Sequence, residues 1–217
     1  MLSLTLPYDG ESPLHILCLG AHSDDIEIGC GGTILRLVRQ YPKCVLHWVV
    51  FSAVGVRADE ARRAAALFAG GAAINGPLLK TFKDGFMPFV GAEVKAVFED
   101  LKGVVSPDVI FTHNRKDSHQ DHRLLAELTW NTFRDHFILE YEIPKYDGDL
   151  GPPSVFVPLE TEIYEAKVRY IMDAFHSQRS KRWFCPETFL SLMRLRGMEC
   201  NASCGYAEAF YSRKLVI

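Results

Sequence analysis

The feature that most constrains the fold is an almost continuously apolar segment, residues 14–21, that runs directly into His-Ser-Asp-Asp at residues 22–25. Continuous apolar character is typical of a parallel strand that is buried on both faces of a sheet. In an open α/β sheet, ligands bind beyond the carboxyl ends of such strands. The sequence therefore predicts that residues 22–25 form a loop at the binding edge of a parallel sheet.

A second polar patch, His-Gln-Asp-His at residues 119–122, follows another predicted strand. Strands and helices alternate up to this region, which favours a parallel sheet covered on both faces. We expect an α/β, Rossmann-like fold, with a mostly parallel sheet flanked by helices on both faces, as a single domain over residues 1–217 with a C-terminal extension. The predicted strands are 14–21, 44–53, 78–82, 108–113, 136–142, 155–157 and 208–217, and the predicted helices are 33 to about 42, 57–69, 93–102, 121–135, 161–175 and 186–197.

Together the two patches contain a ligand set for a divalent cation. His22, Asp25 and His122 form a two-histidine, one-carboxylate set, and catalytic zinc typically takes three protein ligands and leaves a position for water. Such a set suits both Zn²⁺ and Fe²⁺, and the sequence leaves the choice between them open. Asp24 is adjacent to a ligand and is the natural general base for a water molecule at the ion.

The second patch also predicts an electrostatic catalyst. His119 lies three residues before His122, and the two imidazoles share a helix face if the helix has begun there. We expect a protonated His119 to stabilise a developing oxyanion or to donate to a leaving amine, and Asp121 to orient an imidazole. Each patch alone is more typical of a turn, a helix cap or a polar surface. Their joint position after two strands favours the metal site.

Three further features have simpler interpretations beside functional ones. Arg57, near Glu60 at the start of an alanine-rich helix, is either an exposed charge or a substrate contact. His176 is either a satisfied histidine at a helix end or a pocket residue. The glycines within residues 29–32 do not complete a dinucleotide fingerprint, because Ile34 occupies the third glycine position. We interpret them as a turn that brings a loop close to a helix start.

Composition excludes several classes of function. The net charge of −3 comes without a basic stripe, which argues against a partner that is nucleic acid or a membrane surface. No segment approaches the ~20 apolar residues of a membrane span. Residues 1–6 lack the charged and apolar regions of a secretion signal, and the six cysteines are scattered. We therefore expect a cytoplasmic protein with reduced cysteines; its oligomeric state stays open, and a homo-oligomer is compatible with the sequence.

Two motifs resemble those of one known family. Residues 21–34 (AHSDDIEIGCGGTI) resemble the first motif of the LmbE-like/PIG-L family of zinc-dependent N-acetyl-sugar deacetylases, and residues 119–122 (HQDH) resemble its second motif. Ser23 stands where the family often has proline, and Ile26 where many members have glutamate. Neither change removes a ligand or the base. Weaker similarities extend the likeness over residues 14–213, at residues 57–61 (RADEA), 176–178 (HSQ) and 207–210 (AEAF).

The resemblance implies a Rossmann-like fold that binds no dinucleotide, and hydrolysis of the acetyl amide of a small-molecule N-acetyl-sugar. The sugar is free, nucleotide-linked or part of a glycoconjugate, and acetate is released. The implied roles are metal ligands for His22, Asp25 and His122, general base for Asp24, and oxyanion stabilisation for His119. Two alternatives stay open, namely a metallohydrolase of a non-sugar amide or an ester, and a non-catalytic binding protein.

The sequence also suggests groups around the substrate without placing them. Phe86, Tyr141 and Tyr146 are candidates for stacking on a sugar ring. Residues 144–153 form a loop rich in glycine, proline and aspartate, and its composition suggests a lid.

Overall fold

The predicted first strand is a central strand of a seven-stranded sheet. The strands are β1 (Leu14–His22), β2 (Cys44–Ser52), β3 (Ala73–Leu79), β4 (Val109–His113), β5 (Phe137–Tyr141), β6 (Val155–Pro158) and β7 (Ala207–Tyr211). Their order across the sheet is β3-β2-β1-β4-β5-β7-β6. Strands β1 to β5 are parallel to their neighbours among themselves, and β7 runs antiparallel between β5 and β6. The sheet is thus mostly parallel, as predicted.

This computed structural model describes residues 3, 5–6 and 10–216. The expectation about residues 1–6 therefore falls largely outside the described residues, as does the end of the predicted strand at residue 217. Within the described part, the last strand ends at Tyr211. None of the helices described there combines the length and the hydropathy of a membrane span.

Helices cover both faces of the sheet, which confirms the predicted fold class. They are α1 (Asp25–Gln40), α2 (Val56–Ala69), α3 (Gly91–Val104), α4 (Gln120–Thr132), α5 (Thr161–Ala174) and α6 (Pro186–Glu199). Helices α1, α2 and α5 pack together on one face, and α3 packs with α4 on the other. Strand β1 is buried between two apolar cores, with Ile16 and Cys18 in one and Leu17 and Leu19 in the other. This double burial explains its continuous apolar character.

The turn predicted at residues 29–32 is wrong, because these residues lie inside helix α1. A Cβ atom on Gly29 would lie 2.2 Å from the ring of Tyr141, and one on Gly31 would lie 2.5 Å from the ring of Phe68. The glycines therefore let a buried helix approach its neighbours closely. Packing in the folded chain outweighs the low helix propensity of glycine at these positions.

Strand β3 also departs from its prediction, since it begins at Ala73 and contains Gly76-Pro77. Proline is tolerated in a sheet at an edge strand, and β3 is an edge strand of this sheet. The pairing of β3 with β2 shifts register between His47 and Val49, next to this dipeptide.

The order of the strands determines where the two polar patches meet. From β1 the chain continues through β2 and β3 on one side, and then crosses to β4 on the other side of β1. The carboxyl ends of β1 and β4 therefore border a topological switch point, where open α/β sheets bind ligands. His22 ends β1 and His113 ends β4.

Candidate metal and catalytic site

The first patch is a tight junction between a strand and a helix. His22 is the last residue of β1, and Asp25 is the first residue of α1. Asp25 Oδ2 accepts a hydrogen bond of 2.6 Å from the backbone N–H of His22. The carboxylate lies in the first turn of α1, where the partial positive charge of the helix favours an anion.

The second patch caps helix α4. His119 is the N-cap residue, and its Nδ1 accepts a hydrogen bond of 3.3 Å from the backbone N–H of Asp121. His122, in the first turn, is 3% exposed. Asp121 is fully buried and accepts backbone hydrogen bonds from Gly85 and Met87, at 2.7 and 3.1 Å. Asp121 thus fastens the segment before α3 to the start of α4.

The structure brings His22, Asp25 and His122 together at one point. His22 Nδ1 lies 3.3 Å from Asp25 Oδ2 and 3.2 Å from His122 Nε2, and the third distance, from His122 Nε2 to Asp25 Oδ2, is 3.5 Å. Ligand bonds of about 2.0–2.2 Å to a tetrahedral ion place neighbouring ligand atoms about 3.3–3.6 Å apart. The three donor atoms therefore fit one face of a tetrahedral zinc site.

Other donor atoms surround this triangle. Ring nitrogens of His22, His119 and His122 lie within 4.8 Å of one another, as do donor atoms of Asp25, His113 and His122. Because His119 Nδ1 accepts a hydrogen bond from the backbone N–H of Asp121, Nε2 is the ring nitrogen of His119 that can face the triangle. His113 Nε2 lies 3.0 Å from the backbone nitrogen of Ala21, which donates to it.

Each imidazole of the triangle has a carboxylate at its remote nitrogen. His122 Nδ1 lies 3.0 Å from Asp117 Oδ2. His22 Nε2 lies 2.9 Å from Asp84 Oδ1 and 3.4 Å from Asp121 Oδ2. Metal-binding histidines typically donate to such a carboxylate, which fixes the ring and raises its basicity. The His122–Asp117 contact is a hydrogen bond, whereas His22 Nε2 forms none within the described residues and has its carboxylates only nearby. Asp121 thus approaches the imidazole of His22.

Burial and charge set the protonation of the three groups. Burial would raise the pKa of Asp25, but the imidazoles of His122, His113 and His22 hold it well below its ordinary value. Burial lowers the pKa of His122, and His113 lowers it further. Burial would also lower the pKa of His22, but the carboxylates of Asp25, Asp121 and Asp84 raise it well above its ordinary value. A cation that binds here would therefore displace a proton from His22.

Asp24 differs from Asp25 in its partners. Its Oδ1 accepts a hydrogen bond of 2.6 Å from Arg57 Nη2. The guanidinium of Arg57 also donates to Glu60, at 3.1 Å, and lies 5.5 Å from the centre of the Phe175 ring. The structure thus places Arg57 against the predicted base.

The helix start around Arg57 is tied to the segment that contains His176. Glu60 accepts hydrogen bonds of 2.8 and 2.7 Å from the backbone N–H and the hydroxyl of Ser177. His176 itself is exposed and begins a 3₁₀ turn, His176–Gln178.

His119 lies beside the triangle. Its ring centre is 4.9 Å from that of His22 and 4.5 Å from that of His122. Burial lowers the pKa of His119 below its ordinary value, and the neighbouring imidazoles lower it further. A neutral His119 whose Nδ1 accepts a hydrogen bond carries its proton on Nε2.

The structure separates the three aromatic candidates. Tyr141 is fully buried, and its hydroxyl donates to the carbonyl of Leu19 at 2.6 Å, so its ring is part of the core. Phe86 and Tyr146 are 46% and 75% exposed. Phe86 lies between the two backbone amides that bind Asp121, at the edge of the site.

Sequence reasoning missed three residues that contact the site. They are Asp84, His113 and Asp117. His113 ends a predicted strand, and Asp117 lies two residues before His119, so position along the chain was an available signal for both. Asp84 had no such signal, because a loop between distant elements carries it.

The comparison with protein families agrees with this geometry. A family model described as PIG-L, GlcNAc-PI de-N-acetylase, matches residues 17–133, which include both polar patches. The match covers more than half of the chain.

Solved structures of the same fold span nearly the whole chain. The conserved protein TT1542 from Thermus thermophilus has a TM-score of 0.76 at 19% identity, over 94% of this chain and 96% of that chain. N,N'-diacetylchitobiose deacetylase from Pyrococcus horikoshii has a TM-score of 0.68 at 18% identity, over 92% and 83%. GalB, the 4-carboxy-2-hydroxymuconate hydratase from Pseudomonas putida, has a TM-score of 0.72 at 18% identity, over 94% and 98%. These likenesses show the fold, and the family match shows that the chain belongs to the PIG-L (LmbE-like) family.

Proposed function

We propose that the chain is a divalent-metal-dependent hydrolase that removes the acetyl group from a small N-acetylated amino sugar and releases acetate. The observation that carries the proposal is the triangle of His22 Nδ1, Asp25 Oδ2 and His122 Nε2, whose edges of 3.2–3.5 Å fit ligands of one ion. Membership of the PIG-L family supports the de-N-acetylation. Zn²⁺ is the proposed ion, and Fe²⁺ is the alternative for the same donors.

The proposed chemistry divides between the ion and the side chains around it. An ion at the triangle would supply a Lewis acid that polarises the amide carbonyl and lowers the pKa of water. Asp24 accepts the proton of the attacking water. Arg57 occupies Oδ1 of that carboxylate, and within the described residues Oδ2 has no hydrogen-bond partner, which leaves Oδ2 for the water.

His119 is proposed to stabilise the oxyanion of the tetrahedral intermediate. Its Nδ1 accepts a hydrogen bond from the backbone N–H of Asp121, so in the neutral ring the proton is on Nε2. This Nε2–H is available to the oxyanion. The proton that Asp24 accepts can then pass to the leaving nitrogen, which departs as an amine. In this scheme His119 acts as a hydrogen-bond donor rather than as a permanent imidazolium.

Arg57 and His176 are the proposed substrate contacts. Arg57 holds Asp24 with one nitrogen, and its side chain is still 21% exposed. His176 is exposed and adjoins Phe175, whose ring lies against Arg57. Arg57 therefore contacts the proposed base directly, and His176 follows a residue that contacts Arg57. We also propose that the protein acts in the cytoplasm, because all six cysteines are free in the structure.

The test measures metal content and acetate release on the same preparations. Purified protein is analysed by mass spectrometry for bound metals, and is then assayed with N-acetylated hexosamines, their nucleotide-linked forms, simple acetamides and acetate esters. We expect close to one equivalent of zinc or iron, and acetate release from at least one N-acetyl-sugar. In H22A, D25A and H122A, both metal and activity should be lost.

Two results contradict the proposal. One is a wild-type protein that binds no divalent ion. The other is a metal-loaded protein that is inactive with every N-acetyl-sugar. Activity restricted to acetamides or esters would favour the alternative metallohydrolase.

A further inference from the structure

Asp117 is a buried carboxylate that touches both histidines of the second patch. Its Oδ2 lies 3.0 Å from His122 Nδ1, and its Oδ1 accepts a hydrogen bond of 2.8 Å from the backbone N–H of His119. The residue is 4% exposed. Asp117 therefore contacts one proposed ligand through its ring and one proposed catalytic residue through its main chain.

The bond to His122 fixes which nitrogen faces the triangle. Rotation of an imidazole about its side-chain bonds, or a change of tautomer, would remove the lone pair of Nε2 from the cation position. A carboxylate that accepts the Nδ1 proton excludes both changes, and it raises the basicity of Nε2.

The bond to His119 acts on the main chain rather than on the ring. His119 caps α4. Its backbone N–H donates to Asp117, and its ring Nδ1 accepts a hydrogen bond from the backbone N–H of Asp121. The position of Nε2 in His119 thus depends on a carboxylate two residues earlier.

Asp117 is itself held from a distant part of the chain. Lys145 Nζ lies 3.0 Å from Asp117 Oδ1 and 2.7 Å from Asp149 Oδ2, and Asp149 also accepts the backbone N–H of Ser118 at 2.7 Å. A buried carboxylate is stable as an anion only with such partners. The Lys145–Asp149 pair belongs to the segment suggested as a lid, which is thus bonded to the loop before α4.

We infer that Asp117 is a positioning residue that orients His122 toward the cation and fixes His119 beside it. This inference rests on the metal centre proposed above. It assigns to one side chain two separable effects, one on the affinity for the ion and one on turnover once the ion is bound.

The experiment compares D117A and D117N with D59N as the control. The side chain of Asp59 is 76% exposed on helix α2 and pairs with Arg62, so D59N removes a carboxylate without touching Asp117 or either histidine. The dissociation constant for Zn²⁺ is measured at fixed pH by competition with a chromophoric chelator, and thermal unfolding of the metal-free proteins monitors folding. We expect affinity for Zn²⁺ about 10–100-fold weaker in D117A, an intermediate loss in D117N, and unchanged affinity in D59N.

A second measurement separates the two effects. At saturating Zn²⁺, D117N should recover more turnover than D117A, because the asparagine oxygen can still accept the backbone N–H of His119. If D117A does not fold, the isosteric D117N carries the affinity test alone.

The outcomes distinguish this inference from the proposed function. Folded Asp117 variants with the zinc affinity of the wild type, or a D59N loss as large as that of D117A, would overturn the inference. Suppose that the wild type binds zinc and D117A binds it more weakly, but the wild type hydrolyses no N-acetyl-sugar. This result would support the inference and overturn the proposed reaction. A wild-type protein that binds no divalent ion would overturn both.

Discussion

Two adjacent aspartates have different surroundings, and this difference assigns their proposed roles. Asp25 lies among the imidazoles of His22, His113 and His122, with one oxygen 3.2–3.5 Å from a ring nitrogen of each. Asp24 has an arginine on one oxygen instead. A carboxylate surrounded by imidazoles is suited to bind the same cation as they do, whereas a carboxylate held at its edge by a guanidinium can accept a proton in a fixed position.

The first prediction concerns Asp24. D24N should retain the bound metal and lower kcat by about 10²–10⁴-fold, because the amide cannot accept the proton of the attacking water. Metal analysis and steady-state kinetics on the same preparation measure both quantities. D59N is the control, since the side chain of Asp59 is 76% exposed and pairs with Arg62 on the same helix as Arg57. Turnover retained in D24N would remove Asp24 as the base.

The second prediction concerns His119. H119A should keep its metal and lose about 10²–10³-fold in kcat, the typical effect of removing one donor to an oxyanion. His136, which pairs with Asp135 just before β5, provides the matched histidine control as H136A. Loss of metal from H119A would instead place His119 among the ligands. Metal content must be measured because a ring nitrogen of His119 lies within 4.8 Å of those of His22 and His122.

At the scale of elements, helix α1 is anchored through its own backbone. Gly32 N–H donates to Glu208 at 2.8 Å, and the carbonyl of Ile28 accepts from Lys167 at 2.6 Å. Lys167 and Glu208 also pair with each other at 2.6 Å. Side chains of α5 and β7 thus fix the helix one turn after Asp25.

The third prediction follows from this anchor. K167M should lower the free energy of unfolding by about 3–5 kcal/mol, because Glu208 keeps a buried negative charge without its cation. Urea denaturation followed by circular dichroism measures the change. K102M, at an exposed lysine in the last turn of α3, should change stability little. A difference between the two variants below about 1 kcal/mol, the range of exposed ion pairs, would show that the pair does not hold α1.

The sequence was sufficient to predict the elements whose patterns are local. Residues 14–21 and 108–113 appear as strands because continuous apolar runs specify burial on both faces. Helix α2 ends at Ala69, directly before Gly70, which has a left-handed backbone conformation with φ of 56°. The meeting of His22 with His122 was predictable because each polar patch follows a predicted strand. The structure adds that β1 and β4, the strands in question, are parallel neighbours. The early start of α1 was not predictable, because the glycines at 29–32 favour a turn locally.

The contacts that sequence reasoning missed depend on the tertiary structure. Arg57 reaches Asp24 only because α2 returns next to the β1–α1 junction, and the sequence offered no distance between them. Asp84 reaches His22 from the segment after β3, whose course no local pattern specifies. Asp117 is close in sequence to the residues it holds, but a carboxylate before a helix is more typical of a cap.

At the scale of the whole molecule, the donor triangle exists only when the sheet is assembled. His22 and Asp25 come from the β1–α1 junction, and His122 comes from α4, so an unfolded chain does not hold the three in one geometry. An ion that binds the folded chain alone must stabilise it by mass action.

We predict that Zn²⁺ at a free concentration 100-fold above its dissociation constant raises the free energy of unfolding by about 2.7 kcal/mol. Thermal unfolding with buffered Zn²⁺, and with excess chelator, measures this shift. D25A lacks one ligand and should show little stabilisation by Zn²⁺, whereas D59N should be stabilised as much as the wild type. A shift equal in D25A and the wild type would mean that zinc binds elsewhere on the protein, and an unchanged wild type would mean that the triangle does not hold the ion.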